Sequence, residues 1–201
     1  MHSISEFEET YTLKNLTHGT LTLDLGCGLG KEVYYKNFYL IGIDISKERL
    51  KKAKEKRIMV VLGDGRYLPF KNKSFKTIFC HQVIEHIFED QVFLNEAKRV
   101  LNGRMVISTT KTAHFRRGYV NKKFKIGVKL LTDEHVREYH PSNFKRKLKR
   151  SGMEVLDLRG YGIEFIICLD TLFKFAPSIY LHWGKKLMPF CRFLIATCKS
   201  N

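Results

Sequence analysis

With 201 residues, 44% of them hydrophobic and 28% charged, the chain has the size and composition of one folded domain with a buried core, free of repeats and low-complexity linkers. The formal net charge of +16 is uneven: residues 111–201 carry 19 Lys/Arg against 7 Asp/Glu, residues 1–110 carry 17 against 13, and the excess suits an anionic partner such as RNA, a phosphate group or a membrane surface. No leader peptide and no membrane-spanning apolar run is legible, and the five cysteines (Cys27, Cys80, Cys168, Cys191, Cys198) form no CxxC pair, which argues against a structural metal or a disulfide framework and for a reducing cytoplasm.

In chain order, residues 1–20 read as an N-terminal extension. Residues 21–25 form a short β run closed by glycines, and residues 31–37 have room for one or two helical turns. Residues 39–44 are apolar and β-branched, as in a buried strand. Ser46 can cap a charged helix over residues 47–57, although Lys47 and Arg49 in its first turn oppose the helix dipole. Residues 59–62 and 74–80 read as a third and a fourth strand. Residues 89–101, with Val92, Phe93, Ala97, Val100 and Leu101 near 3.6 spacing, read as a helix, and residues 104–108 as a fifth strand. Pro141 and Ser142 open a helix over residues 142–150 that Gly152 ends. A strand over 153–159, an aromatic-rich insertion over 160–190 and a last strand over 192–198 follow. Strands alternating with helices imply right-handed βαβ units. The final strand, arriving after a detour, fits an antiparallel pairing.

Three short stretches carry chemistry. Leu23-Asp24-Leu25-Gly26-Cys27-Gly28-Leu29-Gly30 places glycines directly after a strand, where the backbone must turn sharply and a ligand can approach it. The spacing is GxGxG; Lys31 stands where a dinucleotide fingerprint would have its third glycine. Asp44 closes the second strand, where it can accept both hydrogen bonds of a ribose diol while Ile45 packs on adenine; alternatively it helps cap the next helix. Asp64 in Gly63-Asp64-Gly65 closes the third strand, where a carboxylate can accept from the adenine amine; alternatively it makes an Asp-Gly turn. All three lie at carboxyl ends of successive parallel strands, where open α/β sheets bind ligands.

These stretches, with FKTIFCHQVIEHI (75–87) and EAKRVLNGRMVIST (96–109), resemble class I S-adenosylmethionine-dependent methyltransferases, in the broad group that includes the ubiquinone and menaquinone biosynthesis enzymes. The resemblance implies a single Rossmann-like, doubly wound, mostly parallel seven-stranded sheet with an antiparallel last strand. Residues 21–110 would hold S-adenosylmethionine and residues 111–201 the acceptor. It also implies that Gly26 and Gly28, with Cys27 between them, border the methionine part, that Asp24 orients its amino group, that Asp44 and Ile45 hold the adenosine, and that Asp64 and the Gly65 amide read adenine. Cys80, His81 and Gln82 would lie beside the sulfonium. Asn102-Gly103-Arg104 departs from the family's usual Pro-Gly-Gly turn.

Transfer to an oxygen needs a base, and histidine is the usual one at neutral pH; His81, His86 and His135 are the candidates. Cys80-His81-Gln82-Val83 lacks the Asn/Asp-Pro-Pro-aromatic turn of amino-group methyltransferases. The leading expectation is methyl transfer to an oxygen or carbon of a small-molecule or lipid-like acceptor. Residues 111–150, with 13 Lys/Arg against 3 Asp/Glu and with Phe115, Tyr119 and Phe124 interleaved, keep open an RNA methyltransferase or a membrane-surface contact. A non-catalytic module that keeps the cofactor fold also stays open. The apolar residues of 160–190 read either as core or as a lid over a greasy acceptor, with Phe165, Tyr180 and Trp183 facing it.

Overall fold

The computed structural model describes residues 4–16, 19–30, 39–56, 58–111, 136–163 and 191–200. The elements run α1 (Ile4–Asn15), β1 (Leu21–Leu25), β2 (Tyr39–Asp44), α2 (Lys47–Glu55), β3 (Met59–Leu62), β4 (Phe75–His81), a 3₁₀ turn (Ile84–His86), α3 (Asp90–Val100), β5 (Leu101–Thr110), α4 (Pro141–Arg150), β6 (Met153–Ile163) and β7 (Cys191–Ser200). The strands form one seven-stranded sheet in the order β3-β2-β1-β4-β5-β7-β6. Strands β1 to β5 pair in parallel, and β7 runs antiparallel to both β5 and β6. This is the Rossmann-like mixed sheet that the strand-helix alternation implies.

The chain winds outward from β1 to β2 and β3, then returns to lay β4 on the other side of β1. The strand order reverses between β1 and β4, and in such sheets a crevice opens beyond the carboxyl ends of those strands. Both faces of the central strands are covered, so they read as continuous apolar runs. Alternate side chains go to opposite layers. Leu23, Leu25, Ile78, Cys80, Met105 and Ile107 pack with Phe93 and Ala97 of α3 and Phe144 and Leu148 of α4. Phe79, Val106 and Ile195 pack on the other face with Tyr11 of α1 and with Tyr161.

The structure departs from the sequence reading in several places. Residues 1–20 are not a mere extension: α1 lies on the sheet with Tyr11 and Leu16 buried. Helix α2 ends at Glu55, two residues earlier than expected, with the Ser46 side chain accepting from the Arg49 N–H at 3.3 Å. Strand β5 follows α3 with no intervening turn, beginning at Leu101. A side chain at position 103 would run into the Lys76 carbonyl, where the β4–β5 register also shifts, so the one glycine suffices without a Pro-Gly-Gly turn. Strands β6 and β7 both run longer than expected, which takes residues 160–163 out of the insertion. The expected turns over 31–37, the basic-aromatic stretch around Phe115, Tyr119 and Phe124, and the lid residues Phe165, Tyr180 and Trp183 lie outside the described residues.

The chain re-enters the described fold at Val136. Its N–H and that of Arg137 donate to the Glu85 carbonyl at 2.9 and 3.3 Å. Buried Asp90, at the start of α3, gathers Arg137 (2.6 Å), Lys147 (2.7 Å) and the Tyr139 hydroxyl (2.8 Å). Burial pushes the Asp90 pKa up, but these two cations and the phenol outweigh it and hold the carboxyl below its usual range. One carboxylate thus ties α3, α4 and the 136–139 strap together.

Candidate functional site

The glycine turn is held by its neighbours. The Gly26 and Cys27 N–H groups donate to the Ile43 carbonyl at 2.8 and 3.0 Å, so the turn after β1 is bonded to the end of β2. Gly26 (φ +85) and Gly28 (φ +54) occupy the left-handed region that glycine adopts without strain. A side chain at 26 would also collide with Val83, whereas one at 28 would meet nothing within 4 Å. The Asp44 carboxylate spans the turn: Oδ2 accepts from the Gly28 N–H at 2.9 Å and Oδ1 from the Ser46 N–H at 2.8 Å. The bond from the Ser46 N–H is the capping role weighed for Asp44, and each oxygen keeps lone-pair capacity for a further donor.

A cavity of about 430 Å³ opens between the ends of β1, β2, β3 and β4. Of the expected site residues, Gly26, Asp44, Ile45, Asp64, Gly65 and His81 line it, as does the base candidate His86; Asp24, Cys27 and Gly28 do not. Ile45 is 72% exposed, an apolar side chain left uncovered at the lip. Gly65 is required by packing, since a Cβ there would lie 2.5 Å from the Phe93 ring. Cys27 is inert: burial first, then Asp24 and Asp44, push its thiol up to about 12.

Asp64 is already occupied. Arg66 donates from its backbone N–H (2.9 Å) and Nε (3.1 Å) to Oδ1 and from Nε (3.0 Å) and Nη2 (2.6 Å) to Oδ2. Its Nη1 reaches Glu89 at 2.5 Å on the facing wall. The hydrogen bonds from Arg66 come first among the causes that lower the Asp64 pKa against a smaller effect of burial. Three N–H groups of Arg66, with Nε shared between the two oxygens, thus occupy most of the carboxylate's lone-pair capacity. An adenine amine would have to share Asp64 with Arg66.

On the α1 side lies a buried polar network that sequence reasoning missed. Glu8, 4% exposed, accepts on Oε1 from Ser108 and from the Tyr161 hydroxyl at 2.8 Å, and His81 Nδ1 stands 3.3 Å away. His81 Nδ1 is also 3.2 Å from Ser108 Oγ, and Nε2 is 3.0 Å from Thr12 Oγ1, whose own proton goes to the Glu8 carbonyl. Both ring nitrogens of His81 are thus engaged with α1 and β5. Burial raises the Glu8 pKa, but the His81 charge and the hydrogen bonds from His81, Ser108 and Tyr161 outweigh it and bring it to about 2. His86 is exposed on the cavity rim, which Phe88, 74% exposed, also lines. His135 lies outside the described residues.

The donor set fits an adenosyl group: a carboxylate at Asp44 for a diol, an uncovered Ile45 for a ring face, and open space over the Gly28 backbone. A methyltransferase-domain model matches residues 23–107. MJ1123, an uncharacterized protein of Methanocaldococcus jannaschii, is 32% identical over 157 residues, which cover 76% of this chain and 68% of that protein. A tRNA (carboxymethyluridine(34)-5-O)-methyltransferase of Schizosaccharomyces pombe is 28% identical over 177 residues, covering 87% of this chain and 71% of that protein. The crystal structure of an S-adenosylmethionine-dependent methyltransferase from Thermotoga maritima has the same fold, with a TM-score of 0.66 over 96% of this chain and 88% of that one at 16% identity.

Proposed function

Because the chain belongs to the class I S-adenosylmethionine-dependent methyltransferases, we propose that it carries the methyl group to an oxygen or carbon of a small-molecule or lipid-like acceptor. The bound cofactor supplies an activated methyl on a sulfonium. The chain's own residues supply place and order. Asp44 and Ile45 hold the adenosine and the turn at 26–28 borders the methionine part. Asp24 orients the amino group from the end of β1. The acceptor approaches over the 86–88 rim, and the turn at 82–83 backs it, so that proximity and alignment supply most of the rate.

The observation that carries this reading is the rim itself. Phe88, exposed for most of its surface, and His86 stand side by side on the cavity, an apolar contact and a proton acceptor at the place a small acceptor would enter. We take His86 as the base because it stands exposed on the rim of the cavity, where an acceptor would enter. Among the described residues no helix is long and apolar enough to cross a membrane. The buried free thiols of Cys27, Cys80 and Cys198 support a reducing compartment, the cytoplasm.

One observation favours an RNA acceptor instead. Lys145, Arg146, Lys149 and Arg150 line the exposed face of α4 with no carboxylate partner among the described residues, and one relative methylates tRNA. Incubation with methyl-labelled cofactor and fractionated extract decides between them. Label in the small-molecule or lipid fraction is the expected result. Label confined to RNA would transfer the assignment to the second reading, and binding to the RNA would then weaken steeply with salt.

A further inference from the structure

Gln82 follows β4 with φ +55, a backbone conformation that non-glycine residues rarely adopt. Its N–H donates to the Ser108 carbonyl at 3.2 Å. Its side-chain amide lies between two hydroxyls, with Nε2 3.2 Å from Ser108 Oγ and 3.0 Å from the Tyr161 oxygen. Each hydroxyl has one proton, and both protons go to the same place, Glu8 Oε1. Neither hydroxyl can donate to Gln82, so both must accept, and only the NH₂ end of the amide can face them. The orientation of an isolated amide is ambiguous; here Glu8 settles it. Turned over, Oε1 would confront two oxygens with no proton to give.

The consequence appears at the other end of the amide. Gln82 Oε1 accepts from none of the described residues, and Gln82 lines the cavity beside Val83, the residue against which Gly26 packs. A fixed hydrogen-bond acceptor therefore stands next to the glycine turn. We propose that Gln82 orients the methyl acceptor by taking on Oε1 a hydrogen bond from an O–H or N–H of the acceptor other than the one whose proton leaves in the transfer, with Glu8 of α1 as the positioning residue that holds the amide in this sense. The proposal rests on the methyl-transfer reading and narrows its substrate class. It selects acceptors that carry a second proton donor beside the methylated atom, such as a diol, an aminophenol or a primary amide, and disfavours an ionised carboxylate, which would bring a negative oxygen against Oε1 with nothing to donate. Gln82 aligns the acceptor and takes no proton from it.

Two measurements test this. In ¹⁵N-labelled protein, the Gln82 side-chain protons, assigned by their disappearance in Gln82→Leu, should exchange slowly with solvent. They should exchange faster in Glu8→Gln, whose neutral amide no longer claims both hydroxyl protons. With methyl-labelled cofactor and the extract fraction that takes label, Gln82→Leu should lose about 100-fold in kcat/KM, the scale of a misaligned acceptor. Its S-adenosylhomocysteine affinity should stay within about threefold of the parent. Undiminished transfer by Gln82→Leu, or equal amide exchange in the parent and Glu8→Gln, would overturn the proposal. Should the parent label no fraction although the amide behaves as expected, the function reading fails and the acceptor role of Gln82 falls with it.

Discussion

Asp44→Ala is expected to bind S-adenosylhomocysteine at least about 100-fold more weakly than the parent, because hydrogen bonds to a charged group contribute about 1.5–3 kcal/mol each and a ribose diol makes two. The same carboxylate holds the Gly28 and Ser46 N–H groups, so its loss also slackens the turn proposed to border the methionine part. Asp64→Ala is expected to cost far less, under about tenfold. The difference follows from what each carboxylate already holds: Asp44 accepts one N–H on each oxygen, whereas Asp64 accepts from three N–H groups of Arg66. Titration calorimetry on the two folded variants makes the comparison. Parent-like affinity in Asp44→Ala would remove this residue from the ribose contact. Equal losses in both would mean that Arg66 leaves Asp64 when the ligand binds.

The second large effect is on stability. Glu8→Ala is expected to destabilise the fold by about 3–5 kcal/mol, since leaving a buried hydrogen-bonding group unsatisfied costs about 1–3 kcal/mol and the substitution strips the carboxylate oxygen from Ser108, Tyr161 and the His81 ring together. The network also predicts a pH dependence. The Glu8 carboxyl is held at about 2 against an ordinary 4.5, so the native state favours the charged form. The stability it contributes, about 3 kcal/mol at 1.36 kcal/mol per pKa unit, is complete above pH 4.5 and drains away as pH falls toward 2. Glu85 acts with the opposite sign. Burial raises its pKa against the hydrogen bonds it receives, and its Oε1 has no hydrogen-bond partner among the described residues. Its contribution is present at low pH and is lost as pH rises through the raised value. Urea unfolding of the parent and Glu8→Gln at pH 7 and pH 3 separates the two, since only the Glu8 contribution differs between the proteins. An identical acid loss in both would show that Glu8 does not carry it.

What could be read from the sequence was whatever depends on near neighbours along the chain. Strands β1 and β2 announced themselves because they are largely buried on both faces and run into glycine or aspartate, and the short apolar edge strand β3 because it runs into Gly63-Asp64. The same local signals brought Gly26, Asp44, Ile45, Asp64 and Gly65 to one cavity. Helix α1 was illegible because two of its inward positions are Glu8 and Thr12, which break the apolar stripe of a packed helix. Those polar residues are inside only because their partners are there, and Tyr161 is 153 positions away from Glu8. Spacing along the chain carries no sign of such a pair. The pairing of Asp64 with Arg66 was illegible for a different reason. Arg66 is only two residues away, but whether a neighbouring arginine folds back onto a carboxylate depends on the facing wall, here Glu89. The start of β5 at Leu101 was hidden because α3 runs into it without the turn residues that mark a boundary.

The most direct measurement is a crystal structure of the protein with S-adenosylhomocysteine. The ribose hydroxyls should lie within hydrogen-bond distance of the Asp44 carboxylate, the adenine should cover Ile45, and the sulfur should lie between the glycine turn and Gln82. A ligand found elsewhere on the protein, or a cavity that stays empty at saturating ligand, would contradict the account.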